Sequence, residues 1–259
     1  MMDSIRTEQV KSVLKITLNR PDKFNSFNRE MALQLQSALD SAAKDKSIRC
    51  ILMTGEGKAF CAGQDLGEAV NPDGPGIKRI VEEHYNPIIK RIREIEKPIV
   101  CAVNGVAAGA GANIALACDV VLASSSASFI QAFSKIALIP DSGGTFFLPR
   151  LIGFGKASAL MMLGEKVSAA DAEKMGMIYK VCDAEALANE AMTIAYTLSE
   201  MPTIGIGLTK KLLNQSMTNN LNQQLEEEGK EQVVAASTYD YQEGVNAFLE
   251  KRKAVFKGE

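Results

Sequence analysis

The chain has 259 residues, with 29 Lys and Arg against 31 Asp and Glu, a formal net charge of −2, a single His and no Trp. A chain of this length buries roughly 70 to 75% of its unfolded surface, so it needs no disulfide or metal staple, and by length it holds one or two domains. The mixed, near-neutral charge gives no electrostatic footprint for nucleic acid or an anionic membrane. The polar start MMDSIRTEQVKSV lacks an apolar signal core, and no run approaches the ~18 apolar residues of a membrane span.

Five widely spaced cysteines (Cys50, Cys61, Cys101, Cys118, Cys182) form no CxxC pair and read as buried, reduced thiols, which predicts a cytoplasmic protein. With His84 as the only imidazole, a histidine metal cluster or a standard Ser-His-Asp triad has little material. The chemistry is expected to use carboxylates or backbone groups, with no metal.

In chain order, VLKITL (13–18) has a strand pattern, and the turn-like NRPDKFNS follows it. Residues 28–44 place Met31, Leu33, Leu35 and Leu39 at helical spacing behind an asparagine able to cap. CILMTG (50–55) is a short buried strand closed by glycine. LGEAVNPDGPG carries glycines and prolines that oppose regular structure. A helix is predicted over 77–95, a strand in KPIVCAVNG (97–105), a glycine-rich helix start in AGAGANIALAC and a strand in DVVLAS (119–124). Beyond about residue 150, SAADAEKMG, the run 183–200 and nearly all of 202–257 are helical in pattern. No linker separates the two parts, so residues 1–200 read as an α/β core and 201–259 as a helical C-terminal extension.

Three glycine-containing turns follow strands: FCAGQDL (60–66), NGVAAGAGAN (104–113) and PDSGGT (140–145). Loops at strand ends are the usual ligand sites of α/β proteins. The second turn is not a dinucleotide loop, because GxGxxG requires glycine where Ile114 stands, and no Walker lysine follows. Two uses remain for its small residues. They can expose N–H groups at a helix start to a ligand oxyanion, or let the helix pack tightly on the sheet. Asp141 likewise has two readings, a turn residue capping the helix that begins near Gly143, or a carboxylate placed as a base beside an apolar wall. Asp65 and Asp119 read as structural turn and capping residues, and His84 as an exposed or site-lining one.

AFCAGQDL, KPIVCAVNGVAAGAGANIALACDVVLAS and FSKIALIPDSGGTFFLPRLIG, in this order and spacing, resemble the enoyl-CoA hydratase/isomerase (crotonase) superfamily, and the likeness runs from ITLNRPDKFNSFN to FLEKRKAVF. The resemblance implies a spiral of ββα units with a helical C-terminal trimerisation region, forming a homotrimer or a dimer of trimers. It also implies an acyl-CoA thioester whose carbonyl lies between the main-chain N–H groups of Gln64 and Ala110. CoA is then part of the substrate, and no cofactor is expected. Lys23, Phe24, Ala62, Asp65, Leu66, Gly109, Asn113 and Phe133 fall at substrate- and CoA-binding positions.

The departures are informative. The two hydratase glutamates correspond to Asn113 and Phe133, neither of which exchanges a proton usefully near pH 7. Asp141 matches the working carboxylate of certain isomerases and of a dehalogenase. FSKIALIPDSGGT joined to AGAGA is most similar to the isomerases of ring 1,2-epoxyphenylacetyl-CoA in aerobic phenylacetate breakdown, and also to delta-3,delta-2-enoyl-CoA isomerases. A dehalogenase would want a histidine near the glycine-rich turn, and none is there. An RNA-binding relative would want a lysine-rich helix. Phe133, Phe146 and Phe147 either shape the pocket or fill the core.

Overall fold

The computed structural model describes residues 3–259. Two sheets grow together as the chain advances. β1 (Ile5–Val10) and β2 (Val13–Leu18) form an antiparallel hairpin that leads into α1 (Arg29–Lys44). Then come β3 (Cys50–Gly55), β4 (Ala59–Cys61), α2 (Leu66–Ala69), α3 (Gly76–Arg79), a π-helical turn Ile80–Tyr85 and α4 (Asn86–Glu94). The pattern repeats as β5 (Ile99–Val103), β6 (Val106–Ala108) and α5 (Ala110–Leu116), and again as β7 (Val120–Ser124), β8 (Ser128–Ile130), α6 (Gly144–Ile152) and α7 (Phe154–Leu163). β9 (Lys166–Ser168), α8 (Ala169–Lys174), β10 (Lys180–Cys182) and α9 (Leu187–Glu200) complete the layers, and α10 (Thr203–Ser216), α11 (Leu221–Ala236) and α12 (Tyr239–Glu250) follow.

β1 and β2 both lie in the larger sheet, and each later pair, β3–β4, β5–β6 and β7–β8, deposits one strand in each sheet. The six-stranded sheet has order β1-β2-β3-β5-β7-β10, parallel from β2 onward; the four-stranded sheet has order β4-β6-β8-β9, with β4, β6 and β8 parallel. This is the spiral α/β architecture expected from the resemblance, and the helical C-terminal region is present.

The large sheet is covered on both faces. Ile16, Ile51, Met53, Cys101 and Val121 point into the main core, while Val13, Cys50, Leu52, Val100 and Leu122 meet Ala191 and Ala195 of α9. Because both faces are buried, these strands read as continuous apolar runs rather than alternating ones. All five cysteines are buried and free. Among the described residues no helix is long and apolar enough to cross a membrane.

Four expectations are corrected. Leu33 is exposed, whereas Met31, Leu35 and Leu39 are buried as expected and Ala32 and Gln36 complete the stripe, since Leu33 falls outside the i, i+4 row that they form. The stretch after Leu66 does contain a helical turn, because Asp65 caps it by accepting from the Gly67 N–H at 3.0 Å. His84 is fully buried rather than exposed: it sits in the π-helical turn, and Gln36 Nε2 donates to its carbonyl at 3.2 Å from α1. The C-terminal helix stops at Glu250, where Lys251 adopts a left-handed conformation.

The α10 helix is tied down by buried polar contacts. Lys210 Nζ donates to Asp119 Oδ2 at 2.8 Å and to the Lys97 carbonyl at 3.1 Å, and Asp119 also accepts the Ile99 N–H at 2.8 Å. Asp119 is therefore the structural residue its position suggested.

Candidate active site

β4, β6 and β8 run parallel and side by side, so the segments leaving their carboxyl ends are neighbours. Those segments are Ala62–Leu66, Gly109–Ala110 and Gln131–Phe133, which places most of the sequence-derived site residues along one sheet edge. Lys23 and Phe24 join them from the β2–α1 connection, since the Phe24 carbonyl accepts the Ala62 N–H at 3.0 Å. Lys23, Phe24, Ala62 and Leu66 are exposed, Gln64 and Asp65 are half-buried, and Ala110, Asn113 and Phe133 are buried.

The first two segments touch. Gly63 has φ +93°, and a β-carbon there would stand 3.0 Å from the Ala108 carbonyl oxygen and 3.7 Å from the Ala110 main-chain nitrogen. Only glycine allows both this turn and this approach. Gln64 pairs with Phe27: the Phe27 N–H donates to the Gly63 carbonyl at 2.7 Å and the Asp65 N–H donates to the Phe27 carbonyl at 2.8 Å. Among the described residues no backbone carbonyl takes the Gln64 or Ala110 N–H, the latter being the first of α5. Gly111 has the other role anticipated for a small residue, since a β-carbon there would overlap the Cys61 carbonyl oxygen at 2.4 Å. The glycine-rich turn both exposes an N–H and packs its helix on β4.

Asp65 is pinned rather than free. Burial opposes its ionisation, but Arg20 at 3.0 Å and the N–H groups of Gly67 and Glu68 outweigh burial and hold its carboxyl below the usual range.

Asp141 differs. Its side chain does not cap α6; the main-chain carbonyl accepts the Gly144 N–H at 2.8 Å instead. Among the described residues its carboxyl makes no salt bridge, and burial pushes its pKa above the usual range despite the hydroxyl of Ser142, which donates to Oδ1 at 2.9 Å. The next two residues, Ser142 (φ 50°) and Gly143 (φ 72°), are both left-handed. A non-glycine residue held there costs about 1 to 3 kcal/mol, so surrounding contacts must impose the turn. Asn113 supplies one of them, donating from Nδ2 to the Asp141 carbonyl at 2.9 Å. Phe133 lies near the Gly109 backbone, with ring atom Cζ 3.7 Å from where a Gly109 β-carbon would be. Phe147 is buried in the main core and Phe146 is partly exposed.

Glu68 and Tyr85 carry no motif signal, yet both hydrogen-bond the Gln64 side chain. Tyr85 is buried, and burial first, then the nearby Cys61, Asp141 and Glu68, push its phenol well above its ordinary range.

The Gln64 and Ala110 N–H groups, free of backbone acceptors among the described residues, and the half-buried Asp141, tied to α5 through Asn113, belong to neighbouring segments of this sheet end. Residues 8–259 match the Enoyl-CoA hydratase/isomerase family model, and the chain belongs to that family. It is 48% identical over 261 residues to the 1,2-epoxyphenylacetyl-CoA isomerase of Escherichia coli (strain K12), covering 100% of both chains. It is 36% identical over 249 residues to the trans-2-decenoyl-[acyl-carrier-protein] isomerase of Streptococcus mutans, covering 95% of each. The crystal structure of enoyl-CoA hydratase from Bacillus anthracis superposes with a TM-score of 0.92 at 32% identity, over 99% of this chain and 100% of that one.

Proposed function

We propose that the protein is an acyl-CoA isomerase whose substrate is 1,2-epoxyphenylacetyl-CoA, converted to the oxepin-CoA isomer. The thioester carbonyl accepts hydrogen bonds from the Gln64 and Ala110 N–H groups, which stabilise the enolate-like state, and Asp141 moves the proton. Lys23, Phe24, Ala62, Asp65, Leu66 and Gly109 line the approach of the CoA thioester, and Phe133 bounds the acyl side. The carrying observation is Asp141, which unlike Asp65 makes no salt bridge among the described residues and whose pKa burial raises. Isomerisation neither consumes nor releases water, so one carboxylate that takes a proton and returns it suffices. Hydration needs a second group to hold and deprotonate the water. The left-handed turn and buried carboxyl fit a positioned base with a pKa moved toward its working pH.

The 36% likeness to a decenoyl isomerase supports a second reading, a delta-3,delta-2-enoyl-CoA isomerase. There Asp141 takes a proton from C2 of the acyl chain and returns one at C4, moving the double bond. The readings differ in whether the pocket holds a ring or a chain. Single-turnover assays on 1,2-epoxyphenylacetyl-CoA and on a 3-enoyl-CoA, followed by mass and absorbance, decide between them. Faster turnover of the ring epoxide is expected, and preference for the chain substrate favours the second reading.

A further inference from the structure

The Gln64 side chain has no part in the proposed chemistry, since only its main-chain N–H is used, yet both ends are tied. Its Nε2 donates to Glu68 Oε2 at 3.0 Å and its Oε1 accepts from the Tyr85 hydroxyl at 2.8 Å. The other oxygen of Glu68 accepts the N–H of Arg29, the first residue of α1, at 2.9 Å. The direction of each bond follows from chemistry. The Glu68 oxygens serve as acceptors, so Gln64 must turn its nitrogen there, which leaves its oxygen for Tyr85, and Tyr85 must donate. The Tyr85 ring sits edge-on to Phe27, with centroids 5.9 Å apart. Phe27 is also the residue whose main chain pairs with Gln64.

We infer that Tyr85 and Glu68 are positioning residues, which act through the Gln64 side chain to aim the Gln64 N–H and do not touch the substrate. The inference rests on the reading of the Gln64 and Ala110 N–H groups as the pair that holds the thioester carbonyl. The physical need comes from Gly63. A glycine with φ +93° immediately before the donor is the most permissive hinge available, and rotation there turns the Gln64 peptide away from Ala110. Preorganised donors stabilise developing charge only if they need not reorganise when it appears. Anchoring the side chain to the π-helical turn on one side and to α2 and the α1 N-terminus on the other removes that freedom. Together with the Phe27 pairing, three separate segments, residues 27–29, α2 and the π-helical turn, then fix one N–H.

The test uses phenylacetyl-CoA carrying a ¹³C-labelled thioester carbonyl, which cannot rearrange, bound to wild type and four variants. Infrared difference spectra read carbonyl polarisation, and kcat and KM are measured in parallel on 1,2-epoxyphenylacetyl-CoA. Tyr85→Phe keeps the ring against Phe27 and loses only the hydroxyl. Gln64→Met keeps the main-chain N–H and loses both anchors. The expected result for each is a smaller downshift of the carbonyl band and a kcat lowered roughly tenfold with KM little changed, since a small misplacement of a donor costs rate rather than binding. Adding Tyr85→Phe to Gln64→Met should change nothing further, because the shared link is already gone. Ala110→Pro, with its fold checked by circular dichroism, removes the partner donor and should abolish most of the downshift. Wild-type spectra and rates for Tyr85→Phe and Gln64→Met, beside a damaged Ala110→Pro, overturn the positioning role alone. An intact Ala110→Pro with full polarisation overturns the thioester-holding pair, and the positioning role with it.

Discussion

Asn113 Nδ2 donates to the main-chain carbonyl of Asp141 at 2.9 Å, while Asn113 Oδ1 accepts from Gln131 Nε2 at 2.8 Å. The side chain that the resemblance sets against a hydratase glutamate is thus a strut, and it braces the loop that bears Asp141. It also joins that loop to α5, whose first N–H belongs to Ala110. The donor and the carboxylate therefore share one rigid support.

Asn113→Asp tests the strut. An ionised aspartate keeps the shape and the Gln131 bond but cannot donate to a carbonyl. We expect kcat on the preferred acyl-CoA to fall about 10- to 100-fold with KM nearly unchanged, the scale of a misplaced catalytic group. The loss should deepen as pH rises and the new carboxyl ionises. Steady-state kinetics across pH check this; an unchanged kcat at every pH would mean the loop holds itself.

Asp141 also links activity to stability. Burial raises its folded-state pKa, so the folded protein holds this proton at pH values where the unfolded chain has lost it. Its favourable contribution is complete below the unfolded value and is lost as pH rises through the folded one. At pH 7 the buried charge opposes folding. Asp141→Asn should therefore melt at or above the wild-type temperature at pH 7, with the difference closing as pH falls toward the ordinary aspartate range. In the same window, wild-type kcat/KM should decline with falling pH as the base is protonated, beginning above the pH at which an ordinary aspartate would titrate. Melting curves and a pH–rate profile measure both, and a clearly destabilised variant at pH 7 contradicts the burial argument.

Much of the fold is legible in the sequence. β2 and β3 match the predicted spans because buried parallel strands leave unbroken apolar runs, and the Asn28 cap of α1 accepts the Met31 N–H as its position suggested. The strands that build the site were not. β4, β6 and β8 are three residues each, too short for any period to register. β1 was missed because IRTEQV is a polar edge strand whose middle residues face solvent. The Gln64 anchors escaped because Glu68 lies in a stretch whose glycines and prolines argued against structure. Tyr85 lies in a π-turn whose phase differs from the surrounding helix. Asp141, Gln64 and Ala110 are proposed on motif resemblance; the hydrogen bonds that hold them depend on tertiary contact and carry no local signal.

The exposed apolar residues of the C-terminal helices argue for assembly. Leu221, Val233, Phe248 and Leu249 are each at least 72% exposed, as are Ile139 and Phe154 of the core. The proposal of assembly rests on them, because contiguous exposed apolar patches mark interfaces. Light scattering should give three or six times the 27.9 kDa chain mass. A monodisperse monomer contradicts the proposed homotrimer or dimer of trimers.

Hydration by this site should be very slow compared with isomerisation by the same preparation. Crotonyl-CoA hydration needs a water both oriented and deprotonated while a proton reaches the alpha carbon, and the buried Asn113 and Phe133 supply neither function. Absorbance at the conjugated thioester band measures it. Robust hydration by the unmodified protein would return the water-addition reading to first place.

In the proposed function one carboxylate, Asp141, carries the proton in a CoA-thioester isomerisation. The most direct measurement is single-turnover conversion of 1,2-epoxyphenylacetyl-CoA and of a 3-enoyl-CoA by wild type and Asp141→Asn, with CoA-ligand binding measured alongside. The account predicts an intact fold, retained binding and turnover lowered at least ~10²-fold on the preferred substrate, the scale of a lost general base. Turnover by Asp141→Asn near the wild-type rate on both substrates would contradict it.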